Sequence, residues 1–164
     1  MAEFAMDGGC TCGTVRYRLL SKPMFVNCCH CSWCQRETGS AFVINAIIEA
    51  DRVNLTRGEV AMVETPSESG KGQKIARCPI CHVALWSHYN GAGPRISFVR
   101  TGTLDDPAFC PPDAFIFTRS KQPWVVLPDH IPAFPVYYDL RNQWPADSLA
   151  RRKAVRDETP AGGS

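Results

Sequence analysis

Seven of the nine cysteines in this chain fall into three short groups whose spacing suits metal coordination. Within Cys28-Cys29-His30-Cys31-Ser32-Trp33-Cys34, the thiols of Cys29, Cys31 and Cys34 stand at offsets of two and three residues. A tight turn at that spacing aims three sulfurs at one point, and zinc is the default partner of clustered thiolates in a reducing cell. Isolated core cysteines do not cluster in this way. The other two groups are pairs: Cys10 and Cys12 in the glycine-flanked Gly8-Gly9-Cys10-Thr11-Cys12-Gly13, and Cys78 and Cys81 in Cys78-Pro79-Ile80-Cys81-His82. Two pairs make a four-thiolate tetrahedral set, and the triple stands alone. Structural zinc is closed by four protein ligands, whereas reactive zinc keeps a position open after three. Four plus three is therefore the partition of one structural and one reactive zinc.

The triple has a chemical character of its own. Three thiolates place three negative charges against Zn²⁺ and leave it a weaker Lewis acid than one held by neutral histidines. Such a centre suits a soft sulfur or a small carbonyl compound better than the making of hydroxide. His30 lies between two ligands, so its ring is expected to point away from the metal. His82 and His88 read as outer donors or surface residues. Cys28 and Cys110 read as small buried hydrophobes.

The remaining composition narrows the setting. At 164 residues the chain has the size of one domain, with 45% hydrophobic and 21% charged residues. A formal charge of +2 argues against nucleic acid as a partner. No apolar run approaches the ~20 residues of a membrane span, and Met1 to Gly9 lacks the features of a signal peptide. Nine cysteines without a leader point to a cytoplasmic protein, where thiols stay reduced.

Short β-rich runs must position these groups. Val15, Tyr17 and Leu19 alternate with polar residues, the pattern of a half-buried strand. Residues 31–38 suit one short helical turn ended by Gly39. Ala41 to Ile48 is nearly all apolar and reads as a strand buried on both faces, with Asn45 the exception. Further strands are expected at 53–55, 60–64, 74–77, 83–88, 96–100 and 114–118, and a last apolar piece at 125–127. Thirteen prolines and twelve glycines among them argue for a mainly β domain of short antiparallel strands with little helix. The domain is expected to span 1–138. From 139 to 164 the chain reads as a polar C-terminal tail with at most a short helix, and Arg151-Arg152-Lys153 as solvated charge.

Three stretches carry a family resemblance: Gly9-Cys10-Thr11-Cys12-Gly13-Thr14-Val15-Arg16-Tyr17, Cys29-His30-Cys31-Ser32-Trp33-Cys34-Gln35-Arg36, and Cys78-Pro79-Ile80-Cys81. They resemble the glutathione-dependent formaldehyde-activating enzyme (GFA) family, which includes the centromere protein V domain. Phe115-Ile116-Phe117 and Ser120-Lys121-Gln122-Pro123-Trp124 resemble its closing segment. The resemblance implies the β-tent fold, a structural zinc on Cys10, Cys12, Cys78 and Cys81, and a catalytic zinc on Cys29, Cys31 and Cys34. It implies a carbon–sulfur lyase/synthase that joins formaldehyde to glutathione. His82 stands where the family carries glycine, and Arg36, Arg119 and Lys121 are candidate partners for a substrate carboxylate. The alternative is a non-catalytic, zinc-stabilised binding module, which a fourth protein ligand at the triple would favour.

Overall fold

Short runs broken by proline and glycine fold, in the computed structural model that describes residues 4–157, into ten strands and three helices. In chain order these are β1 (Met6–Gly9), β2 (Arg16–Leu19), β3 (Phe25–Cys29), α1 (Ser32–Thr38), β4 (Val43–Glu49), β5 (Val53–Arg57), β6 (Ala61–Thr65), β7 (Gln73–Arg77), β8 (Ala84–Tyr89), β9 (Ile96–Arg100), β10 (Ala114–Ile116), α2 (Leu140–Gln143) and α3 (Ala146–Asp157). One sheet has the order β1-β2-β5, and a larger one the order β10-β3-β4-β9-β8-β7-β6. The fold is dominated by β-sheet, with modest helix.

The two-residue period explains how the sheets stack. In β2, Tyr17 and Leu19 turn inward and Arg18 outward, where it pairs with Asp7. In β4, Ala46 and Ile48 join a core shared with Val15, Tyr17 and Leu19 of the smaller sheet, while Val43 and Ile47 join a second core on the opposite face. The strand is buried on both faces, as its continuous apolar run predicts.

Three expectations change. Neighbouring strands are antiparallel except β10, which runs parallel to β3. The segment after β9 crosses to the far edge of the sheet, a long connection of the kind parallel pairing requires. Residues 125–127 form no strand, and Val126 is exposed. The third change is the region from 139 onward, which up to Asp157 is helical and packed rather than a polar tail. Trp144 stacks on Phe25 with ring centroids 5.4 Å apart, and Tyr138 meets the same ring edge-on at 5.7 Å. Ser148 donates to the Met24 carbonyl at 2.6 Å. The frayed end expected at 159–164 lies outside the described residues.

Arg151, read from sequence as solvated, docks α3 on the sheet. It donates from Nε to Glu49 Oε1 at 2.8 Å and from Nη2 to Oε2 at 2.6 Å, and the Glu49 side chain is only 5% exposed. Burial alone would raise the Glu49 carboxyl, but the Arg151 hydrogen bonds outweigh it and hold the group below its ordinary value. A carboxylate depressed in this way adds stability above its unfolded pKa, near ~4.3, and loses it as pH falls through the lower folded value. Glu49→Gln is therefore expected to cost about 2 kcal/mol at neutral pH. The gap from wild type should narrow as pH drops below about 4. Urea unfolding across that range measures it, and a pH-independent gap would rule the ion pair out as its source.

Candidate functional site

Both cysteine pairs sit on turns of similar build. Cys10 N–H donates to the Val15 carbonyl and Cys78 N–H to the Val83 carbonyl, at 3.1 and 3.0 Å. Each turn also aims backbone N–H groups at sulfur: Val15 to Cys10 Sγ at 3.2 Å, and Ile80 and Cys81 to Cys78 Sγ at 3.4 and 3.5 Å. Gly13 (φ +75°) supplies the left-handed residue of the first turn, and His82 (φ 63°) sits in that region in the second. The need for positive φ explains why glycine suits the position of His82.

The four sulfurs of Cys10, Cys12, Cys78 and Cys81 lie within 4.8 Å of one another. Cys10 to Cys12 is 3.5 Å and Cys12 to Cys78 is 3.7 Å. A tetrahedron with metal–sulfur bonds of ~2.3 Å has an edge of about 3.8 Å. The donor set therefore fits a thiolate-bound cation, and it bridges the smaller sheet to the β7–β8 turn of the larger one. Hydrogen bonding to Thr14 holds the Cys12 thiol down to about 6, the direction ligation requires.

Cys29, Cys31 and Cys34 also have their sulfurs within 4.8 Å of one another. Cys29 ends β3, Cys31 caps α1, and Cys34 lies in the first turn of α1, donating its N–H to Cys31 Sγ at 3.3 Å. Gly39, left-handed at φ 64°, ends the helix as expected, its N–H on the Gln35 carbonyl. Hydrogen bonds from Cys29 and Cys34 hold Cys31 down to about 3, while the same contacts and burial push Cys29 up. One thiolate is thus favoured even without a cation. His30 turns away from this group, as expected: its ring is fully buried, with Nε2 3.6 Å from Cys28 Sγ. Among the described residues no fourth His, Cys, Asp or Glu side chain joins the triple.

A row of polar side chains runs beside the triple. Asn27, Asn45 and Arg100 are register partners across β3, β4 and β9. Arg100, 5% exposed, donates to Asn45 Oδ1 and, at 2.9 Å, to Ser87 Oγ. The contact with Cys29 and the Arg100 charge favour the thiolate form of Cys34, but Cys31 and burial outweigh them and push the thiol up to about 12. Asn27 Oδ1 accepts from Tyr138 Oη at 2.8 Å, and Tyr138 Oη accepts from Trp144 Nε1 at 3.0 Å.

The triple opens into a cavity of about 350 Å³. Trp33, Ile47, Phe98 and Ile116 supply apolar wall, and Tyr137, Leu140, Trp144 and Arg152 close it from the C-terminal segment. Phe117 lines it from a left-handed backbone conformation (φ 54°), a strained state for an aromatic residue. Of the three basic residues expected to meet a carboxylate, Arg119 pairs with Glu68 at 2.6 Å, Lys121 donates to the carbonyls of Gln122 and Val125, and Arg36 is absent from the cavity wall. Arg152, discounted in the sequence as solvated, is the arginine that lines it.

The residues after β10 lock the triple in place. Gln35 Nε2 donates to the His30 and Ser120 carbonyls at 2.8 and 2.9 Å, and its Oε1 accepts from Gln122 Nε2 at 2.7 Å. Ser120 Oγ also donates to the His30 carbonyl, at 2.9 Å. Removing the Gln35 amide strands several of these groups, so Gln35→Leu should cost about 2–3 kcal/mol. It should also loosen metal held by the triple while leaving the four-cysteine site intact. Urea unfolding and metal retention under chelator measure the two effects; unchanged retention at the triple would show that the clamp does not position it.

The family described as glutathione-dependent formaldehyde-activating enzyme matches residues 5–120. A Halomonas elongata protein, provisionally named a glutathione-dependent formaldehyde-activating enzyme, is 27% identical over 128 residues, spanning 74% of this chain and 80% of that protein. A solved Rhodobacter sphaeroides protein superposes with a TM-score of 0.48 at 20% identity, over 78% of this chain and 99% of the other. With both cysteine groups inside the matched span, this chain belongs to the glutathione-dependent formaldehyde-activating enzyme family.

Proposed function

We propose that the chain is a zinc-dependent carbon–sulfur lyase/synthase of the β-tent class, joining a small aldehyde such as formaldehyde to a thiol such as glutathione. Cys10, Cys12, Cys78 and Cys81 hold a structural zinc, and Cys29, Cys31 and Cys34 a catalytic one. The observation that carries the reading is the triple itself: three converging sulfurs, without a fourth side-chain ligand among the described residues, at the floor of a cavity. Nine free cysteines suit a reducing, cytoplasmic setting. No helix among the described residues is long and apolar enough to cross a membrane. The zinc domain spans 1–138, with residues 139–157 packed onto it as an addition.

When bound at the triple, zinc supplies a Lewis-acidic position that polarises a carbonyl oxygen or holds a thiolate. The chain's own residues do the rest. The cavity walls exclude water and orient the two reactants. The thiol sulfur forms the new S–C bond as the C=O π pair moves to oxygen, and the proton lost by the thiol ends on the new hydroxyl. Nothing is oxidised or reduced, and the reverse step is the lyase reaction. Tyr137 lines the wall, and burial raises its pKa, so the phenol stays protonated at neutral pH. Its Oη accepts from Asn27 Nδ2 at a long 3.5 Å.

Purified without chelator, the protein should carry close to two zinc ions per chain. Cys34→Ala should lose one and stay folded, whereas Cys78→Ala should lose the fold along with its zinc, because that site joins the two sheets. Equal thermal stability of the two variants would overturn the division of roles. Exchange NMR of a formaldehyde–glutathione mixture should show faster adduct turnover with wild type than with buffer, and no acceleration over buffer with Cys31→Ser. Wild type that holds two zincs yet matches buffer would remove this substrate pair.

A further inference from the structure

The cavity is far larger than formaldehyde needs. A volume of about 350 Å³ leaves room for a second, larger reactant. The walls must therefore be read for the second reactant, and they are mostly aromatic or aliphatic. Two charged side chains line them, Glu68 and Arg152. Glu68 is already neutralised by Arg119 at 2.6 Å, whereas Arg152 has no hydrogen-bond or ion-pair partner among the described residues. Arg151 next to it is tied to Glu49, which fixes α3 and turns Arg152 toward the cavity.

A second, independent observation comes from Gln73. It lines the same cavity, is 5% exposed, and its Oε1 is buried without a donor. Thr65, its register partner on β6, has a buried hydroxyl in the same condition. Native structures leave few such groups unpaired, so each marks a place where a bound molecule or ordered water completes the hydrogen bonding.

We propose that the second reactant is an apolar or aromatic thiol bearing a single carboxylate, its ring or chain against Trp33 and Trp144, its carboxylate on Arg152, and a donor group on Gln73. The inference rests on the proposed function only for the destination of the sulfur; the recognition itself is independent of the metal. Glutathione, with two carboxylates and an ammonium group, can seat one carboxylate on Arg152 and leaves its other charges unmatched, so it is bound more weakly than such a thiol. The selecting residues Leu140, Trp144 and Arg152 lie beyond the span matched by the family, so the C-terminal segment sets the choice of thiol in this chain.

Probes without a free thiol test recognition apart from chemistry: 4-methylbenzoate, its neutral counterpart 4-methylbenzamide, and S-methylglutathione. Indole N–H signals of Trp33 and Trp144 should shift on titration with 4-methylbenzoate, while Trp86 and Trp124, which do not line the cavity, should not. The carboxylate should bind roughly tenfold more tightly than the amide, an ion-pair contribution of about 1.4 kcal/mol. Arg152→Ala should abolish that preference, and Arg152→Glu should invert it, with both variants folded as judged by unchanged Trp86 signals. Equal binding of the two benzoyl probes to wild type, persistence of the preference in Arg152→Ala, or tighter binding of S-methylglutathione than of 4-methylbenzoate would each overturn the proposal. Zinc content and formaldehyde exchange, measured on the same samples, report on the proposed function separately.

Discussion

Three sulfurs held within 4.8 Å in a buried site set an electrostatic constraint that much of the structure answers. At an effective dielectric near 20, two like charges ~4 Å apart repel by about 4 kcal/mol, so three thiolates cannot coexist there without positive charge. The fold supplies some in Arg100, a buried guanidinium that donates to the neutral side chains of Asn45 and Ser87. A divalent cation would supply the rest. Three thiolates and one Zn²⁺ leave one negative charge, and one arginine beside them brings the group to neutrality. The clamp of Gln35, Ser120 and Gln122 then has a physical purpose. It holds the β3–α1 loop where sulfurs would otherwise move apart.

The metal groups were legible in the sequence because their geometry is local. Offsets of two and three residues place sulfurs together whatever the rest of the chain does. The strand buried on both faces was legible for a related reason: an unbroken apolar run has few alternatives, and Ala46 and Ile47 do face opposite cores. The row Asn27–Asn45–Arg100 was not, since it exists only through the register of three strands. The C-terminal helices were missed because α3 is rich in charge, and its docking depends on a few points widely spaced in sequence. Ser148 on the Met24 carbonyl and Arg151 on Glu49 look, residue by residue, like solvated surface. Trp144 was the one signal available, a large aromatic inside a stretch otherwise polar.

The two cysteine groups differ in where they sit in the topology. The four-thiol group joins turns from different sheets, so a cation there closes a long loop and constrains the two sheets together. The triple draws on a strand end and the first turn of the adjoining helix, a span of six residues from Cys29 to Cys34. A cation there closes almost no loop and contributes little to the global arrangement. The site can therefore leave a coordination position exposed without weakening the fold.

That separation also bears on which chemistry the open side suits. The triple lies at the floor of an enclosure lined by aromatic and aliphatic side chains, and the approach of a ligand expels water from it. Hydrolysis needs water at the centre, whereas joining a thiol to an aldehyde needs water kept out, because water competes with sulfur for the carbonyl carbon. An electron-rich three-thiolate centre is a poor generator of hydroxide, and an apolar enclosure is a poor reservoir of it. The ligand set and the walls thus exclude the same competing reaction for two separate reasons. Both reasons favour the proposed carbon–sulfur bond making over hydrolysis, and in that proposal the C-terminal segment, which supplies Leu140, Trp144 and Arg152 to the wall, is where thiols would be told apart.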